Sequence, residues 1–151
     1  MTDELADILD TALYKEIASQ ALYAAAQSKT EDPGAKTLMK ELVEEEQKHA
    51  QQLKKLKEEG VTEGGWHPEK IADLKISQHL TGPDTIEGAG LQETLIFAMK
   101  QEQLAIEFYS KMMSVLRDQN AKLLCQSLAQ EELKHKLKLE TFYDDLFYSG
   151  D

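Results

Sequence analysis

The chain has 151 residues, 41% of them apolar and 30% charged, and its 28 acids against 17 bases leave a formal charge of −11. This is enough apolar material for one buried core and too much for a disordered chain, while the acidic balance excludes nucleic-acid binding through a broad basic surface. The lone cysteine, Cys125, excludes an internal disulfide, a thiolate zinc site and a CxxC redox pair, and no apolar run approaches the ~20 residues of a membrane span.

The first element begins among the acids Asp3, Glu4, Asp7 and Asp10, where a secretory signal would be basic and then apolar. A soluble, cytoplasmic protein is expected, with residues 1–151 forming one domain. From Leu5 to about Lys29 the apolar residues Leu5, Ile8, Leu9, Ala12, Leu13, Ile17, Ala21, Leu22 and Ala25 recur with a helical period. The break Thr30-Glu31-Asp32-Pro33-Gly34 marks a turn, with Asp32 placed to cap a second helix and Pro33 at its first position. That helix carries Leu38, Met39, Leu42, Val43, Leu53 and Leu56 and stops at Gly60. Residues 4–59 thus read as a helical hairpin.

The stretch from 60 to 90 holds six of the eight glycines, Pro68, Pro83 and the only tryptophan, Trp66. It reads as a long crossover with one short helix around Glu69 to Leu80. A third helix is expected from Leu91 to about Arg117, a polar break at Asp118-Gln119-Asn120, and a fourth helix to about Phe147, so that residues 91–148 make a second hairpin.

Sliding the sequence against itself by 86 residues brings the two hairpins into register without a gap. Glu16 falls on Glu102, Tyr23 on Tyr109, Asp32 on Asp118, and Leu38, Leu42 and Leu53 on Leu124, Leu128 and Leu139. Glu45, Glu46, Lys48 and His49 fall on Glu131, Glu132, Lys134 and His135. Each hairpin buries with the other what neither could bury alone, which predicts an all-α four-helix bundle with one long crossover.

The repeated polar residues are the unusual ones. Glu46 and His49 lie one turn apart on one helix face, as do Glu132 and His135. The midpoint of Glu16 and Glu46 is position 31, in the first break, and that of Glu102 and Glu132 is position 117, at the second. In an antiparallel hairpin each lone glutamate is therefore level with its E-x-x-H pair. Residues seven apart share a face to within about 20°. By that rule Glu46 lies between Met39 and Leu53, Glu132 between Cys125 and Leu139, Glu16 between Leu9 and Tyr23, and Glu102 between Leu95 and Tyr109. All four interrupt apolar columns. The columns of Glu45 and Glu131 turn partly to solvent. Ionised carboxylates inside a core need compensation, and two divalent cations would balance four of them. Oxygen and nitrogen donors without a thiolate favour iron or manganese over structural zinc.

The set Glu16, Glu46-x-x-His49, Glu102, Glu132-x-x-His135 resembles the di-metal carboxylate site of the ferritin-like superfamily, above all that of the rubrerythrin family. The resemblance covers nearly the whole chain. It implies that Glu46 and Glu132 bridge two irons, that Glu16 and Glu102 are terminal ligands, and that His49 and His135 bind one iron each, with manganese as the alternative metal. It implies an oxidoreductase reacting with dioxygen or peroxide, with iron sequestration without substrate turnover as the alternative. It also implies a homodimer. Two departures bear on this. Family members usually carry a further glutamate three residues after the third-helix ligand, where this chain has Ala105; Glu107 is about 140° away from the Glu102 face. No paired CxxC of an appended rubredoxin domain is present, so electrons are expected from a separate donor protein.

The remaining candidates read as structural. Tyr23 and Tyr109 are placed either to bond metal carboxylates or form a radical relay, or simply to pack. Cys125, at the repeat position of Met39, reads as a small core residue, Trp66 as an anchor for the crossover, and His67 and His79 as loop histidines.

Overall fold

The computed structural model describes residues 2–59 and 90–147, which form four helices: α1 (Asp3–Lys29), α2 (Pro33–Glu59), α3 (Leu91–Val115) and α4 (Gln119–Phe147). Among the described residues there is no strand, and no helix is long and apolar enough to cross a membrane. α1 packs along α2 and α3 along α4, and α1 also touches α3 and α4, giving the four-helix bundle of two hairpins that the repeat predicts. The expected helix at 69–80, Trp66, His67 and His79 lie outside the described residues.

Local chemistry fixes the helix ends. The Asp32 carboxylate accepts the Ala35 N–H at 2.8 Å, so Asp32 caps α2 and Pro33 takes the first helical position, where no N–H is needed. Just inside this cap, Gly34 lets the Phe142 ring of α4 close on α2. A Cβ there would sit 3.2 Å from the ring.

The second break lies two residues earlier than the sequence suggests. α3 closes at Leu116, whose N–H reaches Met112 O, and Gln119 and Asn120 are already helical. The repeat accounts for this, because Asp118 and Gln119 stand where Asp32 and Pro33 stand. The backbone N–H groups of Arg117 and Asp118 both donate to Glu4 Oε1 at 2.8 Å, and Thr2 Oγ1 donates to the Asp118 carboxylate at 2.7 Å. The start of α1 is thereby tied to the start of α4, so the two helices run in the same direction.

This clamp has a pH signature. The Asp118 and Arg117 N–H bonds hold the Glu4 carboxyl below its ordinary value of 4.5. A depressed acid stabilises the fold above the unfolded-state pKa and loses that contribution as pH falls through the folded-state value. Glu4→Ala should lower the melting temperature at neutral pH, and the deficit should close in strong acid. A deficit that persists unchanged in acid would separate the clamp from the charge of Glu4.

The core is divided. Leu5, Leu9, Ala12, Leu53, Tyr109, Leu124, Cys125 and Leu128 belong to one apolar cluster, and Tyr23, Leu38, Met39, Leu42, Leu95, Ala98, Met99 and Leu139 to another. The repeat maps one onto the other: Leu9 on Leu95, Ala12 on Ala98, Leu53 on Leu139, Tyr109 on Tyr23, Cys125 on Met39. Cys125 is buried in the first cluster, as its alignment with Met39 predicts, and its thiol pKa is pushed up to about 11 by burial.

One part of the α1 reading needs correction. Ile17, Ala21 and Ala25 are exposed, Ile17 by 60%. Along α1 the innermost column is instead Leu9, Glu16 and Tyr23, so in this helix a charged residue displaces an isoleucine from the interior.

Candidate metal centre

Between the two apolar clusters lies one polar layer. Glu16, Glu46, Glu102, Glu132 and His135 are each at most 4% exposed, and His49 is 12% exposed. One helix contributes each lone glutamate, Glu16 from α1 and Glu102 from α3. α2 and α4 contribute two residues each, at a three-residue spacing that puts both on the inward face. The structure therefore brings all six sequence-derived candidates to one level.

The distances are those of a ligand cage. His135 Nδ1 lies 2.5 Å from Glu46 Oε1, 3.9 Å from Glu132 Oε2 and 4.0 Å from Glu102 Oε2. His49 Nδ1 lies 3.6 Å from Glu16 Oε1, and the two imidazoles stack with centroids 5.4 Å apart. One ligand atom each from Glu46, Glu102, Glu132 and His135 falls within 4.8 Å of the others, and so does a set from Glu46, His49 and His135.

Both oxygens of Glu16 and of Glu46, Oε2 of Glu102, Nδ1 of both histidines and Nε2 of His135 make no well-directed hydrogen bond among the described residues, although His135 lies beside Glu46 and Glu45. Buried oxygen and nitrogen acceptors left in this condition are costly, and a divalent cation satisfies them together. On this test the residues fit a metal.

Electrostatics agree. Burial first, and then the charge of Glu132, drive the carboxyls of Glu46 and Glu102 far up, and burial raises Glu132 itself. Glu16 is held below its ordinary range, because its neighbours Glu46 and His49 outweigh the opposing effect of burial. Burial also works against the charge on His49, but Glu131 and Glu16 overcome it and lift its pKa to about 10. Left to its own charges, the layer balances itself with protons. Cations would replace them.

The outer faces of the histidines show what sequence reasoning missed. His135 Nε2 lies 2.9 Å from Glu45 Oε2, and His49 Nε2 lies 3.2 Å from Glu131 Oε2. The pairing is crossed: each histidine meets the acid that precedes the E-x-x-H glutamate of the other hairpin. These contacts turn Nε2 outward and leave Nδ1 facing the layer, the arrangement an outer carboxylate imposes on a metal-binding imidazole. Lys138 bonds Glu45 from α4, and Lys134 lies 3.4 Å from Glu131 on the same helix. With His135 and Lys138 beside it, the Glu45 carboxyl falls to about 2. The signal was available in the sequence, since Glu45 and Glu131 repeat as faithfully as the residues that follow them.

The tyrosines divide unequally. Tyr23 OH donates to Glu102 Oε1, whereas the equally buried Tyr109 OH has no partner among the described residues. Leaving a buried carboxylate oxygen without its donor costs about 1–3 kcal/mol. Tyr23→Phe should therefore lower unfolding free energy by that amount in chelator, and Tyr109→Phe by less, as urea titrations would measure. Equal losses would mean that both hydroxyls serve packing alone.

Ala105 packs against the cluster that contains Tyr109, and Glu107 is exposed, 3.1 Å from Gln103 Nε2. Neither adds a carboxylate to the layer.

Comparisons with known proteins agree with this geometry. Residues 1–65 match the family model for rubrerythrin. A hypothetical protein from Pyrococcus furiosus is similar over 94% of this chain and 89% of its own, with a TM-score of 0.63 and 25% sequence identity. No curated protein matches the chain. The matched residues supply Glu16, Glu46 and His49, and they open a four-helix bundle of ferritin-like type with a carboxylate and histidine cluster that could hold metal.

Proposed function

We propose that the layer holds two iron ions and that the chain is a non-haem di-iron oxidoreductase acting on dioxygen or peroxide. The observation that carries this reading is the convergence of four buried carboxylates and two imidazole Nδ1 atoms, most of them without hydrogen-bond partners, on one level of the core. Glu16 with His49 would hold one ion, Glu102 with His135 the other, and Glu46 and Glu132 would be shared between them. Iron bound there supplies reversible one-electron chemistry toward oxygen species.

The chain's own residues do the rest. Leucines and tyrosines above and below the layer exclude water, and Tyr23 holds Glu102 in place. Glu45 and Glu131 orient the imidazoles. The reading includes an external electron-donor protein and self-association as a homodimer. Tyr14 and Ile17 on α1 and Leu104 on α3, each more than half exposed, offer apolar surface for such contacts.

The test is anaerobic loading with ferrous iron followed by mixing with dioxygen or with peroxide. Two irons per chain and a rapid near-ultraviolet absorption change with either oxidant are expected. Two irons and no change with both oxidants would sink the oxidoreductase reading. Continued uptake beyond two irons per chain would favour sequestration, and native protein containing manganese would correct the metal.

A further inference from the structure

The six candidate ligands obey the repeat, but their surroundings do not. Around His135 the charged neighbours lie closer. The imidazole is 1% exposed, its Nε2 lies 2.9 Å from Glu45, and Lys138 reaches that carboxylate from α4. Its partner acid Glu102 receives the Tyr23 hydroxyl. Glu46, Glu102, Glu132 and His135 form a single buried ligand cluster.

Around His49 the equivalents are weaker or missing. The imidazole is 12% exposed and its Nε2 lies 3.2 Å from Glu131. At the repeat position of Lys138 stands Gln52, so Glu131 is held by Lys134 of its own helix at 3.4 Å rather than by a lysine reaching across from α2. Tyr109, the repeat of Tyr23, gives Glu16 no hydrogen bond, and both Glu16 oxygens are without one. His49, Gln52, Glu45 and Glu131 line a cleft of about 260 Å³ between α2 and α4, bordered by Lys134 and Lys138, so this half of the layer adjoins solvent.

We propose that the two cation positions are unequal: the Glu102–His135 position fills first and tightly, the Glu16–His49 position second and weakly, and the Lys138/Gln52 difference sets much of the gap. This rests on the di-metal reading above. The physical reason is preorganisation. A histidine already fixed by an outer carboxylate, which a lysine ties across the two helices, spends less free energy to bind, and loss of an outer partner typically weakens a metal site about 10–100-fold. Glu45 and Glu131 act here as positioning residues, each serving the other hairpin's histidine.

The test is an anaerobic titration of the full chain with cobalt(II), followed by visible absorption and calorimetry. Two binding steps about tenfold or more apart are expected. Lys138→Gln should weaken the first step and bring the two together, and Gln52→Lys should tighten the second. Both positions are at the surface, so these variants leave the core alone. His49→Ala should keep the tight step and lose the weak one, and His135→Ala should do the reverse. Two equivalents bound in a single step of equal affinity would overturn the inference and leave the di-metal reading standing. So would a Lys138→Gln variant with both steps unchanged. Failure to bind cobalt, iron or manganese at all would overturn both.

Discussion

Glu46→Ala should abolish high-affinity metal binding, with a larger loss than substitution of either terminal glutamate, Glu16 or Glu102. Glu46 and His135 are the two residues shared by both candidate ligand groupings, and their facing atoms lie 2.5 Å apart. Loss of Glu46, proposed above as shared between the two ions, removes a ligand from each position at once. Removing only an outer partner of a metal ligand typically costs about 10–100-fold in affinity, so removing a shared inner one should cost more than 100-fold. Equilibrium dialysis against iron(II) or cobalt(II) would measure this, with helical circular dichroism as the control for folding. The fold should survive, because the side chain removed is a fully buried carboxyl whose burial opposes its own ionisation. Retention of two metals at near-native affinity would show that the cations, if bound, sit elsewhere.

The same layer shows where sequence reading reaches its limit. Hairpins, breaks and the level of each glutamate follow from periodicity and from midpoints, because an antiparallel hairpin has one geometry. Column membership then separates Glu46 and Glu132 from their neighbours, and the structure buries both. What it cannot supply is how one hairpin sits against the other. Glu45 and Glu131 are 33% and 28% exposed, as their half-polar columns predict, yet each reaches a histidine of the opposite hairpin. A helical wheel ranks faces by burial and is blind to a side chain that leans across an interface.

Lys136 and Glu140 make the same point from the other side. They are wholly buried and 3.5 Å apart, while their repeat positions hold Ala50 and Lys54, so no duplication marks them. Ile17 failed for a related reason. Its hydrophobicity counted toward a stripe, but with Glu16 at the centre of the inward face Ile17 is turned about 100° round the helix, to 60% exposure.

A polar layer kept for function should cost the fold something when no cation fills it, and this leads to the second large effect. In chelator, the double variant Glu46→Leu/Glu132→Leu should melt higher than the native sequence. Apolar replacement of buried charged groups is often stabilising, by ~1–4 kcal/mol. For a chain of this size each kcal/mol moves the melting temperature by about 2–4 °C. The native chain should regain the difference on metal loading, since a ligand present at ~100 times its dissociation constant adds ~2.7 kcal/mol. The variant should not respond to metal.

The pH dependence carries the sign. Burial raises the Glu46, Glu102 and Glu132 carboxyls above their ordinary value of 4.5. The folded layer then binds more protons than the unfolded chain, and stability falls as pH rises from that value. His49, lifted to about 10 from 6.5, adds to the fall across that interval. Glu45, held at about 2, acts in the opposite direction: its contribution is present above 4.5 and is lost in acid. The chelated native chain should therefore be most stable in the weakly acidic range and weaken toward alkaline pH, and the leucine variant should show a flatter alkaline limb. Calorimetric scans across pH would show both. A native profile as flat as the variant's would mean that Glu46 and Glu132 carry no strain to relieve, and with it would go the reason the layer needs cations.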